Sequence, residues 1–114
     1  YGDYVIKTTA KIIKDNVRSI DLVARYGGEE FAVVLVNTNT EAALTVAERI
    51  VENIADYNFN MEEKQVSMTI SAGLSEYPND SDQLKDLIQF ADDGLYKTKD
   101  SGGNGVTIYH SIVQ

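Results

Sequence analysis

The stretch Arg25–Phe31, which reads RYGGEEF, decides the fold of this chain. Apolar residues of the kind found in strands lie on both sides of it, over 22–24 and over 31–36. A glycine pair between two such runs predicts a β-hairpin turn, because glycine reaches the positive φ angles that tight hairpin turns use. We therefore predict strands over 22–26 and 30–36, joined by a turn at the glycines.

Two adjacent carboxylates, Glu29 and Glu30, follow the glycine pair. Neighbouring strand residues face opposite sides of a sheet, so these two acids cannot share one solvated face. Hard cations such as Mg²⁺ prefer oxygen ligands and usually take one or two carboxylates from the protein. The pattern therefore predicts a divalent-metal and phosphate site at the turn, with a plain hairpin bearing exposed acids as the alternative.

The composition is that of one globular domain of 114 residues, 43% hydrophobic and 25% charged. The chain has no cysteine, which excludes disulfides and thiolate metal sites, and its single histidine excludes a zinc site built from several histidines of one chain. A net charge of −8 argues against nucleic acid or an anionic membrane as partner, but a nucleotide bound with Mg²⁺ is compatible. No apolar run approaches the roughly 20 residues that span a bilayer.

Hydrophobic periodicity predicts three amphipathic helices and four strands along the chain. In chain order they are a helix over 3–18, strands over 22–26 and 30–36, a helix over 40–56, a loop over 57–64, a strand over 66–75, a helix to about 100 and a strand over 106–109. The predicted N-cap residues are Asp3, Thr40 and either Ser81 or Asp82. This order predicts an α+β fold in which helices flank a mostly antiparallel central sheet.

The stretch Arg25–Phe31 resembles the signature of the GGDEF domain, the catalytic domain of bacterial diguanylate cyclases, in its GGEEF form. Other segments match the family in the same order along the chain. They are Gly2-Asp3, Arg18-Ser19-Ile20-Asp21, Ala47-Glu48-Arg49-Ile50, and the closing set Ala91-Asp92, Leu95-Tyr96, Lys99 and Gly102–Asn104. The chain is therefore identified as a GGDEF domain over its whole length, 1–114, with matches from residue 2 to about residue 109.

This resemblance implies the palm-like architecture of nucleotide cyclases, with the signature on a β-hairpin. It also implies a reaction, in which two GTP molecules are joined into cyclic di-GMP and two pyrophosphates leave. Each domain of a homodimer would hold one GTP, and Mg²⁺ or Mn²⁺ would be the cofactor. The family's product, cyclic di-GMP, would also act as an inhibitor.

By the same resemblance, the residues of the turn would hold the reacting groups. Glu29 and Glu30 would be catalytic residues and metal ligands, because phosphoryl transfer depends on positioning and charge stabilisation. Gly27 and Gly28 would let the backbone approach the phosphates. Arg25 would lie near the substrate; a surface salt bridge beside an edge strand is the alternative.

Two further residues would bind substrate away from the turn. Asp3 would pair with the guanine edge, although helix capping alone would also explain it. Lys99 would contact the terminal phosphates. The chain departs from the family at Gly103, because the closing loop commonly carries an arginine there that helps to hold phosphates.

A second group, Arg18, Asp21 and Arg49, would form the product-inhibition site. Arginine can clamp a phosphate or guanine with two hydrogen bonds, and an aspartate can accept from the guanine edge. The alternative is an exposed ion pair between Arg18 and Asp21, which would contribute little to stability.

The resemblance implies that family members carry an N-terminal helix and a first strand before the position of Gly2. Those elements include an aspartate metal site, a phosphate-binding lysine and a guanine-binding asparagine. We therefore expect these 114 residues alone to make no cyclic di-GMP. The resemblance also implies a cytoplasmic domain behind an upstream sensor or receiver domain, with a membrane-anchored sensor protein as one possible parent.

Two other functions stay open at this point. One is a catalytically inactive GGDEF-like module that binds cyclic di-GMP or GTP as a sensor, which the glycine at position 103 favours. The other is an interaction or dimerisation domain of a larger regulator. The intact Gly-Gly-Glu-Glu-Phe motif argues against the inactive sensor module.

Overall fold

The computed structural model describes residues 2–112 and has the predicted α+β architecture. Its elements are α1 (Gly2–Asp15), β1 (Leu22–Arg25), β2 (Phe31–Val34), α2 (Thr40–Asp56), β3 (Phe59–Met61), β4 (Lys64–Val66), β5 (Ser71–Leu74), α3 (Leu84–Asp100), β6 (Gly105–Ile108) and a 3₁₀ helix (Tyr109–Ser111). Within these residues, no helix combines the length and the apolar character needed to cross a membrane.

The strands form three pairs. β1 with β2 and β3 with β4 are antiparallel, whereas β5 and β6 run parallel. A parallel pair needs a crossover connection, and α3 supplies it. In the described part of the chain the strands form three two-stranded sheets, and two of the three pairs are antiparallel, in agreement with the mostly antiparallel expectation.

Helix α1 ends at Asp15, three residues before the predicted end. Asn16 terminates it, because its side-chain amide donates to the carbonyl of Ile12 at 2.7 Å and its backbone N–H bonds to the carbonyl of Ile13 at 3.0 Å. An asparagine side chain that bonds to nearby backbone competes with the helical pattern. Residues 16–21 are thereby released to form a loop.

The predicted N-cap residues of all three helices are wrong. Helix α1 already includes Gly2, so Asp3 lies inside its first turn. Asn39 caps α2, accepting a hydrogen bond from the N–H of Ala42 at 2.8 Å, so Thr40 is the first helical residue. Helix α3 begins at Leu84 with Gln83 at the cap position and no side-chain cap bond. Ser81 instead accepts from the N–H of Gln83 at 3.0 Å, which makes it part of the approach to the helix.

The hydrophobic core lies between α1, α2 and β3. Its buried members are Ile13, Ile50, Ile54 and Phe59, and side chains from the inner face of β1 and β2 pack against them. Phe59 is fully buried, with the rings of Tyr57 and Tyr4 against it edge-on at 4.8 and 6.1 Å. The prediction of a loop over 57–64 is therefore wrong: this segment contains β3 and leads into β4.

The predicted strand over 66–75 is two separate strands. β4 ends at Val66 and β5 begins at Ser71, with no regular structure between them. The turn between β3 and β4 is formed by Glu62 and Glu63, both at positive φ (46° and 66°). Such a turn is usually marked by Asn-Gly, so the two glutamates concealed the hairpin in the sequence.

Helix α3 packs on β5 at a contact between two glycines. A Cβ on Gly73 would lie 1.8 Å from the carbonyl oxygen of Ala91 and 2.3 Å from the nitrogen of Leu95. A Cβ on Gly94 would lie 2.8 Å from the carbonyl oxygen of Thr107. Backbone therefore meets backbone here, which only glycine permits.

Candidate active site at the signature turn

The hairpin turn predicted from the sequence is present. β1 and β2 are in register from Leu22 opposite Val34 to Arg25 opposite Phe31. We call the connecting residues 26–30 the signature turn. The carbonyl of Glu30 closes it by accepting from the N–H of Tyr26 at 2.8 Å and of Gly27 at 3.3 Å.

The prediction that the glycine pair adopts positive φ angles in the turn is wrong. Neither Gly27 nor Gly28 has positive φ; within residues 2–112 the glycines that do are Gly102 and Gly103. An added Cβ on Gly28 would meet nothing within 4 Å, and one on Gly27 would meet only the Cβ of Glu30 at 3.8 Å. The fold therefore does not require glycine at either position.

The carboxylates of Glu29 and Glu30 are exposed and uncommitted. Neither side chain makes a hydrogen bond or ion pair with any residue in 2–112, and no cluster of three metal-ligating side chains occurs in that range. Mg²⁺ sites commonly use one or two carboxylates and complete their shell with water and substrate phosphates. The two oxygen donors therefore fit part of a magnesium site, and a substrate would supply further oxygens.

Arg25 bonds to the signature turn itself. Its Nε donates to the carbonyl of Gly27 at 3.2 Å, and its Nη2 donates to the carbonyl of Gly28 at 2.6 Å. No salt bridge to Arg25 is present in the described residues. The alternative of a surface ion pair is therefore not what the structure shows.

Asp3 and Lys99 are both exposed, at opposite ends of their helices. Asp3 lies in the first turn of α1, where a carboxylate is favourable for the helix dipole, and Lys99 lies in the last turn of α3. Neither side chain hydrogen-bonds to another residue within 2–112. Among the described residues, no hydrogen bond or ion pair joins them to the signature turn.

The closing loop explains why an arginine is disfavoured at position 103. Gly102, Gly103 and Asn104 have φ of 113°, 78° and 53°. A Cβ on Gly103 would also approach Oγ of Ser71 to 3.2 Å. A side chain there would be strained, so this loop conformation favours glycine.

A second polar centre at Arg18 and Asp21

Arg18 and Asp21 form a closely bonded pair in the loop after α1. The guanidinium donates to both carboxylate oxygens of Asp21, at 3.1 and 2.9 Å. The carboxylate also accepts from the backbone N–H of Arg18 at 2.8 Å and of Val36 at 2.9 Å. The Asp21 side chain is only 1% exposed, against 53% for Arg18, so this is not the weak surface pair of the alternative interpretation.

These contacts shift the pKa values of both Arg18 and Asp21. The hydrogen bond from Arg18, followed by that from the N–H of Val36, holds the pKa of Asp21 well below its usual range. The hydrogen bond to Asp21 raises the pKa of Arg18 in turn. The pair therefore stays charged throughout the physiological range.

Thr38 completes the surroundings of Arg18. Its hydroxyl accepts from the guanidinium at 3.0 Å and donates to the carbonyl of Val36 at 2.9 Å. The guanidinium also donates to that carbonyl. Thr38 was missed in the sequence because a threonine in a polar loop carries no motif.

Arg49 is held by the end of α1. Its Nε donates to Oδ1 of Asn16 at 2.8 Å, and its Nη2 donates to the carbonyl of the same residue at 2.8 Å. Asn53 donates to the same Oδ1 at 3.1 Å. An arginine is well placed there, since the last carbonyls of a helix carry negative partial charge.

The structure brings the three predicted product-site residues together. Arg18, Asp21 and Arg49 line one open pocket of about 400 Å³, along with the N-terminal end of α2. The other lining residues are Asn16, Val17, Leu35, Asn37, Thr38, Asn39, Ala42 and Val46. The pocket thus combines two cations and a helix N-terminus with apolar lining residues.

Replacing Asp21 by asparagine is expected to alter how stability depends on pH. A carboxyl whose folded pKa is lowered stabilises the fold above its unfolded pKa of about 4, and that contribution is lost as the pH falls through the folded value. The variant should therefore melt below the wild type at pH 7, and the gap should narrow towards pH 2. Circular dichroism melts at pH 7, 4 and 2 measure it.

Asp15→Asn is the matched control, because Asp15 pairs with Lys11 at 3.0 Å but both side chains are exposed. Its melting temperature should stay close to that of the wild type at each pH. A gap for Asp21→Asn that is the same at pH 7 and pH 2 would contradict the assignment.

Comparison with known proteins supplies the family. A family model described as diguanylate cyclase, GGDEF domain, matches residues 1–105. Diguanylate cyclase A of Treponema denticola is 44% identical over 107 residues, covering 94% of this chain and 29% of that protein. The response regulator PleD of Caulobacter vibrioides is 39% identical over 107 residues, covering 92% and 24%. The chain thus spans less than a third of the length of these relatives.

Solved structures agree on the fold. The GGDEF domain of TpbB from Pseudomonas aeruginosa superposes with a TM-score of 0.86 at 31% identity, covering 94% of this chain and 63% of that one. The active GGEEF domain of a diguanylate cyclase from Vibrio cholerae gives 0.80 at 32% identity, covering 94% and 67%. The GGDEF domain of DgcB from Caulobacter crescentus, solved with cyclic di-GMP, gives 0.85 at 28% identity, covering 95% and 64%. The predicted cyclase architecture is therefore confirmed, and the chain belongs to the GGDEF domain family of diguanylate cyclases.

Proposed function

We propose that this chain is the catalytic domain of a diguanylate cyclase, which condenses two GTP molecules into cyclic di-GMP and releases two pyrophosphates. One observation carries the proposal. The fold needs no glycine at Gly27 or Gly28, yet both are present beside two uncommitted carboxylates. Residues that the fold does not use are available to a ligand that needs close backbone approach and a divalent cation.

The chain's own residues would share the work as follows. Glu29 and Glu30 would hold Mg²⁺ or Mn²⁺, which supplies charge stabilisation for the transferring phosphoryl group. The bare backbone at the glycines would admit the phosphates of GTP. Asp3 would bind guanine and Lys99 the terminal phosphates; their exposed, unbonded side chains are available for both roles.

The reaction joins two nucleotides, so two copies of the domain would meet with their signature turns facing each other. An upstream sensor or receiver domain in the parent protein would control that encounter. With GTP as its substrate, such a domain would lie in the cytoplasm, whether or not the parent protein is anchored to a membrane.

The experiment that tests this function uses the protein with any residues that precede Tyr1 in its gene. We expect incubation with GTP and Mg²⁺ to yield cyclic di-GMP and pyrophosphate in a 1:2 ratio, by chromatography and a pyrophosphate assay. A folded protein that leaves GTP intact and binds cyclic di-GMP would instead favour the alternative, an inactive sensor module. The glycine at position 103, in place of a phosphate-binding arginine, is what keeps that alternative open.

Product inhibition would act through the pocket at Arg18. The guanidinium of Arg18 is already oriented by Asp21 and Thr38, while about half of the Arg18 side chain remains exposed. Arg49 would supply a second cation. Two cations together with apolar lining residues suit a ligand with two phosphates and planar bases.

We expect the chain to bind cyclic di-GMP with a dissociation constant of about 1 µM or tighter, and Arg18→Ala to abolish that binding. Isothermal titration calorimetry measures both. Lys11→Ala is the control, since it removes an exposed cation outside the pocket and should bind like the wild type. Unchanged binding by Arg18→Ala would show that the pocket is not the product site.

A further inference from the structure

Arg25 fixes the direction of two consecutive peptide groups. Its guanidinium binds the carbonyls of both Gly27 and Gly28. A trans peptide is planar, and its C=O and N–H point in opposite directions. The N–H groups that share these two peptides belong to Gly28 and Glu29, so both must point away from Arg25.

Those two N–H groups have no acceptor in the described chain. The closing hydrogen bonds of the signature turn use only the N–H groups of Tyr26 and Gly27. Among residues 2–112, an added Cβ on Gly28 would meet nothing within 4 Å, and both Gly28 and Glu29 are exposed. Two parallel, uncovered amide dipoles therefore lie at the surface of the turn.

Parallel amides of this kind bind anions, as successive N–H groups do in phosphate-binding loops. The positive charge of Arg25 behind the same peptides adds to their dipoles. The surroundings are otherwise acidic: the chain carries a net charge of −8, and Glu29 and Glu30 are adjacent. An anion would thus be held by the oriented amides, with a metal ion offsetting the carboxylates.

We propose that Arg25 is a positioning residue, which does not touch the substrate but orients the peptides of the signature turn so that the N–H groups of Gly28 and Glu29 bind phosphate oxygens. The inference rests on the proposed function for its natural ligand, a nucleoside triphosphate. Arg25 would then lie near the substrate without touching it, because its Nε and Nη2 donate to the turn's own carbonyls.

The test follows backbone amides by NMR while inorganic pyrophosphate is added with Mg²⁺ to the ¹⁵N-labelled chain of 12.6 kDa. In the wild type, the amides of Gly28 and Glu29 should shift, and the Arg25 Nε–H should not. Arg25→Ala should weaken this response at least about tenfold, since misorientation of binding groups is costly even without loss of the groups themselves. Arg25→Lys, which keeps the charge and can reach one carbonyl, should fall between the two.

Lys11→Ala is the charge-matched control and should respond like the wild type. Arg25→Ala should also melt within a few degrees of the wild type, because the contacts it loses are exposed. If Arg25 had only a structural role, Arg25→Ala would lower the melting temperature without selectively changing the NMR response of the Gly28 and Glu29 amides.

The inference is overturned if Arg25→Ala keeps the wild-type response, if the wild type shows none, or if Arg25 Nε–H shifts while the amides do not. The last result would mean direct contact. None of these readouts requires turnover, so a protein that fails to make cyclic di-GMP would refute the proposed function while leaving this inference to its own test.

Discussion

Replacing Gly73 by alanine is expected to lower the free energy of unfolding by about 3 kcal/mol or more, or to prevent folding. The new Cβ would lie 1.8 Å from the carbonyl oxygen of Ala91 and 2.3 Å from the nitrogen of Leu95. Both are backbone atoms of α3, so no side-chain rotation can relieve the clash. The melting temperature should fall by about 12 °C or more, as measured by circular dichroism.

Alanine substitutions at two other glycines should lower the stability less than Gly73→Ala does. Gly94→Ala should be destabilised less, since its nearest contact would be 2.8 Å, to the carbonyl oxygen of Thr107. Gly28→Ala should melt like the wild type, because its Cβ would meet nothing within 4 Å. If Gly73→Ala and Gly28→Ala melted at the same temperature, the close contact between β5 and α3 would not exist.

Replacing Glu29 by glutamine is expected to reduce cyclic di-GMP formation on the order of a hundredfold or more, because a metal-binding carboxylate is replaced by a neutral amide of the same shape. The Glu29 side chain is exposed and bonds to nothing in residues 2–112, so stability should not change. Steady-state rates with GTP and Mg²⁺, in the protein with any residues that precede Tyr1, measure the effect.

Glu63→Gln is the matched control, since Glu63 is also an exposed glutamate in a hairpin turn, but in the one between β3 and β4. It should keep the wild-type rate. An equal loss in both variants would mean that general charge matters rather than the signature turn, and no loss in Glu29→Gln would remove Glu29 from the metal site.

The helices and the signature hairpin were predicted from patterns among residues that are close together in the sequence. The apolar spacing of α2 predicts six residues on its inner side, of which four are buried and two, Leu44 and Ala47, are half-buried. The buried four are Ala43, Ile50, Val51 and Ile54. The glycine pair correctly predicted a turn between two paired strands. Such signals concern neighbours in sequence, which is why helices and the hairpin were within reach.

The parts that failed depend on partners distant in sequence. The apolar spacing of α3 predicts a buried stripe formed by Leu84, Leu87, Ile88, Ala91 and Leu95. Leu84 is 66% exposed and the other four are half-buried, whereas the buried positions are Gly94 and Thr98. The side of α3 that faces β5 is chosen by close backbone approach rather than by hydrophobicity. An isolated glycine in a strand pattern, Gly73, was the available signal for that contact.

In the candidate site, too, the sequence indicated individual residues but not the contacts that they make. The motif indicates Glu29, Arg18 and Asp21 as candidates. It could not reveal that Arg25 bonds to the turn's own carbonyls or that Thr38 bonds to Arg18. These contacts depend on how a loop closes, and loop closure leaves no periodic pattern. The structure also replaced the sequence-based reason for the glycine pair, since neither glycine has positive φ.

The central claim is that the glycines of the signature turn serve the reaction and not the fold. The most direct measurement is the rate of cyclic di-GMP formation by Gly28→Ala, with its melting temperature determined on the same sample. We expect a wild-type melting temperature together with a loss of activity on the order of a hundredfold, because a methyl group would occupy the space through which phosphates approach the backbone. Wild-type activity at a wild-type melting temperature would contradict it.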